Sequence, residues 1–437
     1  MNTFHFSFIP LALALLTAVS ASSARAETLL FRASVVHTIA NGDITDGEVL
    51  VKDGKIFLIG KGLPTIGAQL IELKGQHLYP GLIAPNSSLG LVEIGAVRAS
   101  VDTTEVGAFT PDVQSWIAVN PDSELIPVAR ANGITHALVV PSGGIVPGQS
   151  GLIALAGWGV EGMTAKRPVA MHLEWPDMSL NTTPKEHLRD ASKWKSPEDQ
   201  AKERRKKLKE IEDFFDEAKA YAKARAAAAK DFKAHPAWES MLPVVRGELP
   251  LFIYAEELRQ IKAALQWSTN HNQRIVIVGG RDAALTADAL AKTQTPVIFE
   301  HVFTLPPRDS DAHDVHFRAA AQLHKAGVKI AFGLGLGGWG ASGLRNLPYS
   351  AAQSAAHGLP EAEALKSLTL YPAQILGVAD RLGSIEQGKE ASLIATDGNI
   401  LDIRSNVKRM WIAGKETSLE SRHTRLYEKY RNRPKLN

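Results

Sequence analysis

The chain has 437 residues, 45% apolar and 22% charged, with 49 Lys and Arg against 46 Asp and Glu. This profile excludes wholesale disorder, and a formal charge of only +3 argues against a dedicated nucleic-acid binder. The length suffices for two domains or one large barrel, and the absence of cysteine removes disulfide scaffolds, thiolate catalysis, Cys-ligated zinc and iron–sulfur clusters together.

Residues 1–26 read as a secretory signal. An apolar core from Phe6 to Val19 is too short for a membrane span, and Ala24-Arg25-Ala26 supplies a small-x-small cleavage pattern before Glu27. The expectation is a periplasmic or secreted protein whose signal peptide is cleaved after Ala26. No later stretch is apolar for long enough to span a bilayer.

Residues 27–78 are strand-rich. Glu48-Val49-Leu50-Val51-Lys52 meets Ile56-Phe57-Leu58-Ile59 across Asp53-Gly54, a hairpin signal because both central residues need positive φ. The same texture returns over 383–416, so the two ends are expected to build one small β-sandwich. Between them, over 79–382, short apolar runs such as Leu251-Phe252-Ile253-Tyr254 and Ile275-Val276-Ile277-Val278 alternate with helical stretches. Such runs suit parallel strands buried on both faces, and their number favours a TIM-type (β/α)8 barrel. Residues 183–235 interrupt the rhythm as a charged helical insertion. Ser196-Pro197-Glu198-Asp199 starts a helix in which Leu208, Ile211, Phe215, Ala218 and Ala222 share one face. The tail, 417–437, is basic.

Several of these segments resemble the amidohydrolase superfamily, with the flavour of its exported imidazolonepropionase-like branch. The carriers are Asp46-Gly47-Glu48-Val49-Leu50-Val51-Lys52-Asp53-Gly54, Tyr79-Pro80-Gly81-Leu82-Ile83, Thr369-Leu370-Tyr371-Pro372-Ala373, and Arg381-Leu382-Gly383-Ser384-Ile385-Glu386-Gln387-Gly388. Their order along almost the whole mature chain is the specific signal. The resemblance implies a metal-dependent hydrolase of carbon–nitrogen bonds other than peptide bonds, often cyclic amides. One or two ions would sit at the C-terminal mouth of the barrel, held by a His-x-His pair, two later His and an Asp.

The ligands that the resemblance implies are replaced here. Ala84-Pro85-Asn86-Ser87-Ser88 stands where the His-x-His segment is expected, with Asn86 and Ser88 in the two His places. Tyr254 and Gly279-Gly280 stand at the later His positions, and Gly333 to Gly338 supplies no Asp. Neutral amide and hydroxyl oxygens bind Zn²⁺ poorly compared with imidazole. The expectation is no cofactor at the usual metal site, and weak activity or none with a pocket for a small polar ligand or substrate.

Asn86, Ser88, Tyr254, Arg345 and Asn346 are the candidate substrate-binding residues. His301, Asp102 and Glu105 are the candidate catalytic ones, with Asp102 and Glu105 also suited to a weakly held divalent cation. Two alternatives stay open: an active hydrolase rebuilt around Asp102, Glu105, Tyr254 and His301, and an interaction protein using the charged insertion. A cluster of Asp309, Asp311, His313, Asp314 and His316 reads as a solvated loop as readily as a metal site.

Overall fold

A computed structural model describes residues 28–227 and 232–434. The segment 1–26, expected to be a signal, lies outside the described residues. Among the described residues fifteen strands form two sheets. In chain order they are β1 (Thr28–His37), β2 (Asp43–Lys52), β3 (Lys55–Gly60), β4 (Gln69–Pro80), β5 (Leu82–Ser87), β6 (Ile134–Val139), β7 (Gly148–Ala154) and β8 (Thr164–Glu174). There follow β9 (Leu251–Ala255), β10 (Ile275–Gly279), β11 (Val297–Phe299), β12 (Ile330–Phe332), β13 (Leu393–Thr396), β14 (Val407–Ile412) and β15 (Lys415–Thr417).

Both chain ends build the first sheet, in the order β15-β14-β13-β4-β1-β2-β3. β13 lies antiparallel on β4, with Leu393 opposite Pro80 and Thr396 opposite His77. The sheet curls, so that the β2–β3 turn meets the β14–β15 turn. The segment 388–391 bridges them through Ala391 N–H to the Gly54 carbonyl and Gly414 N–H to the Ala391 carbonyl, both bonds from adjoining turns into one strip. Gly54 has φ +74°, and a Cβ there would lie 2.4 Å from the Ala413 carbonyl oxygen, so any larger residue would push the two turns apart. Inside the curl, Phe31 packs edge-on to Trp411 at 4.8 Å between centroids, with Val49, Ile56, Leu73 and Leu393 around them.

The second sheet runs β5 through β12 and nearly closes into a barrel, with β12 coming beside β5. Most neighbours are parallel, as their continuous apolar runs require: every residue of β5, β6 and β10 is buried. The exception is β7, antiparallel to both β6 and β8. Only eight residues, with Gly143 and Gly144 at positive φ, separate β6 from β7. That is too few for a crossover helix, so the chain turns back as a hairpin.

The charged insertion contains a thirty-residue helix, Pro197–Ala226. Ser196 caps it by accepting from Asp199 N–H. Ile211, Phe214, Phe215 and Ala218 are buried on the barrel side, where Phe215 meets Trp267 at 4.8 Å and Phe214 stacks on Phe109 at 4.5 Å. The remaining faces carry solvated charge pairs such as Lys209–Asp213. Among the described residues no helix is long and apolar enough to cross a membrane.

Candidate functional site

Parallel barrel strands present their functional groups at their C-terminal ends. Four of them end in polar residues here. Asn86 is the next-to-last residue of β5, Glu174 ends β8, Glu256 follows β9 and Glu300 follows β11. Asn86 is fully buried and joins two sides of the mouth. Its Nδ2 donates to Glu300 Oε1 at 2.7 Å, and its Oδ1 accepts from the Tyr254 hydroxyl at 2.8 Å. The Tyr254 oxygen also lies 3.3 Å from Nδ1 of His172, whose Nε2 is buried without a partner.

The electrostatics are those of crowded acids in a dry place. Burial raises the Glu300 carboxyl to about 7, against the pull of its Asn86 bond, and the nearby Glu256 adds to the rise. Burial raises Glu174 to about 7 as well, with Glu256 and Glu300 contributing repulsion. The Tyr254 phenol is pushed well up by burial, and His172 down to about 3, so the imidazole is neutral. No Lys or Arg side chain pairs with Glu174, Glu256 or Glu300 among the described residues.

Glu256 instead pairs with His301, whose Nε2 lies 2.6 Å from Glu256 Oε2. The same oxygen accepts the Arg281 backbone N–H at 3.1 Å. Gly279 makes room for this carboxylate: it has φ +87°, and a Cβ would sit 2.3 Å from Glu256 Oε1. The loop after β12 folds over the mouth. Gly337 N–H donates to the Ser88 hydroxyl at 2.9 Å, and Gly338 lies against Gly95.

The expected residues therefore fall into two groups. Asn86 and Tyr254 bond directly, His301 joins them through the adjoining acids, and Ser88 anchors the covering loop. Asp102 and Glu105 are exposed on the long loop after β5, and Glu105 accepts its neighbour Val106 N–H. Arg345 and Asn346 are also exposed, and the Arg345 carbonyl accepts from Asn132, in the turn that leads into β6. The Asp309–His316 cluster is dispersed: Asp311 pairs with Arg308, Asp314 with Arg318, and His316 faces Thr304. Among the described residues no three His, Asp or Glu side chains converge as a metal-binding group.

Glu174, Glu256, Glu300 and His172 were not singled out in the sequence. The first three carried a signal: each is an acid placed at the end of an apolar barrel strand.

The fold has close counterparts. An amidohydrolase from Thermotoga maritima superposes with a TM-score of 0.77 at 27% identity, covering 89% of this chain and 99% of its own. A family model described as "Amidohydrolase family" matches residues 255–417, from the end of β9 to the end of β15. The chain shares the fold of amidohydrolases and, over residues 255–417, matches their family in sequence. A curated relative, the amidohydrolase tasK of Hapsidospora irregularis, is 22% identical over 84% of this chain and 39% of its own length. The chain spans well under half the length of the curated relatives it matches. A zinc-bound adenosine deaminase from Xanthomonas campestris has a TM-score of 0.50 at 16% identity, covering 89% of this chain and 92% of its own, and shares the fold alone.

Proposed function

We propose that this amidohydrolase-superfamily protein has exchanged its metal centre for a hydrogen-bonded network, and that it binds a small polar ligand with weak hydrolytic activity or none. The observation that carries the reading is the pair of hydrogen bonds made by the Asn86 side chain. A residue at an inferred ligand position spends its amide on Glu300 and Tyr254, and Ser88 spends its hydroxyl on Gly337. The metal ions of the family call for imidazole and carboxylate donors. An amide, a hydroxyl, a phenol held neutral by burial and a glycine at the inferred positions do not fit them. Three carboxyl groups without a Lys or Arg partner favour a ligand that carries a protonated amine.

Metal analysis of protein purified without added metal or chelator tests this. The expected result is far less than one equivalent of zinc or manganese, with no gain in hydrolysis of cyclic amides on adding either. Near-stoichiometric metal, with activity lost in Asp102→Ala or His301→Ala, would overturn it.

A second reading is favoured by the His301–Glu256 pair. A carboxylate 2.6 Å from an imidazole orients it for proton transfer. A hydrolase working through this pair would lose turnover in His301→Asn and keep its ligand affinity. The site is proposed to act outside the cytoplasm, after cleavage at Ala26. N-terminal sequencing of protein from the native host should begin at Glu27, and a chain retaining Met1 would contradict export.

A further inference from the structure

A cavity of about 1050 Å³ opens at the opposite pole of the barrel, beneath the N-terminal ends of β8 to β12. Its walls carry Lys166, Lys262, Arg274, Lys292 and Lys329, against a single carboxylate, Glu248. These cations come from separate parts of the fold. Lys166 lies on β8, Arg274 and Lys329 immediately precede β10 and β12, and Lys262 and Lys292 sit on the helices Leu258–His271 and Ala287–Lys292. Two of them have structural duties. Lys166 Nζ donates to the carbonyls of Leu376 and Gly377 at 2.9 and 3.0 Å, closing the C-terminal end of a helix, and Arg274 donates to the Glu248 carbonyl at 3.2 Å.

The other three have none. Among the described residues Lys262, Lys292 and Lys329 form no ion pair and no side-chain hydrogen bond, although Lys329 lies 6.0 Å from the Tyr371 ring centroid. Among the described residues the Glu248 carboxylate pairs with none of the five, and Asp380 lies near Lys166 outside the lining. The hydroxyls of Thr293 and Thr295, 2.8 Å apart, line the same wall. Cations gathered around one concavity give it a positive potential that attracts anions, and lysines around a cavity act as point donors to phosphate-type oxygens.

We propose that this cavity binds a compact, multiply charged anion of the phosphate or polyphosphate type, held by Lys262, Arg274, Lys292 and Lys329. Burial lowers the Lys329 and Lys166 ammonium groups, and Arg274 lowers Lys166 further, so a bound anion would also relieve the repulsion between Arg274 and Lys166. The site is independent of the chemistry at the mouth.

Calorimetric titration of the whole mature chain with inorganic tripolyphosphate tests the proposal, with orthophosphate as the arm that asks how many charges are needed. One saturable equivalent of tripolyphosphate is expected, weakened by rising salt. The Lys292→Glu/Lys329→Glu variant should bind roughly tenfold more weakly or worse, the loss that removing a charge-assisted contact brings. Arg422→Glu, on the exposed C-terminal helix, should leave binding unchanged. Circular dichroism of each variant checks that it is folded. No saturable binding by either anion, several equivalents per chain, or equal weakening by Arg422→Glu would overturn the site.

Discussion

Asn86 joins the two halves of the barrel mouth through one amide group, and both of its partners are poorly solvated. Asn86→Ala leaves a buried carboxyl and a buried phenol each short of a partner. The expected cost is about 3 kcal/mol of unfolding free energy, read as a lower urea midpoint with an unchanged slope. The neighbouring acids make stability depend on pH. Glu300 ionises near 4.5 when unfolded and near 7 when folded, so its contribution is complete below pH 4.5 and is lost as pH rises to about 7. His136 and His172 act in the opposite sense. Burial lowers both from 6.5 to about 3, so the stability they permit is lost as pH falls through that window. The two trends oppose each other between pH 4.5 and 6.5, and only a variant separates them. Relative to wild type, Glu300→Gln should gain about 2–3 kcal/mol as pH rises from 4.5 to 7. Parallel stability curves would contradict the raised Glu300.

At the scale of elements, the long helix Pro197–Ala226 depends on packing more than on its own sequence. Its exposed faces are held by surface ion pairs of small worth, while its buried stripe meets Phe109 and Trp267. Phe215→Ala should therefore cost about 4 kcal/mol and alter Trp267 fluorescence, whereas Ser196→Ala should cost about 1 kcal/mol. A reversed order in thermal melts would refute the packing argument. The burial of this stripe was legible because a 3.6-residue period writes it directly, as was the Asp53-Gly54 hairpin, whose central residues have φ of 52° and 74°. β7 was less legible, because the hairpin that reverses it depends on the spacing between two buried runs rather than on either run alone. Asn86 and Tyr254 stood out by replacing expected residues. Glu174, Glu256 and Glu300 did not, since an acid after a strand also suits the first turn of a helix, and their proximity exists only once the barrel closes.

For the whole molecule, the joining of both chain ends in one sheet was foreseeable from their matching texture, but the curl that brings Gly54 against Gly414 was not, because it arises from pairings between distant segments. A chain ending at residue 382 would lose β13–β15, uncover the edge of β4, and remove Trp411 from Phe31. An uncovered edge strand is a template for association. Such a truncation is expected to move most of the expressed protein into the insoluble fraction, and recovery of a soluble monomer with native circular dichroism would show that the barrel does not need the completed sheet.

The pairing of Tyr79 with Ile394 also gives the molecule a timetable. A ribosome adding about 5–20 residues per second needs roughly 15–60 s to travel between these two partners. Throughout that interval β4 has β1 on one side and no strand on the other, while all the barrel strands are being made. The strand leading into the barrel is thus among the first to be synthesised and among the last to be enclosed.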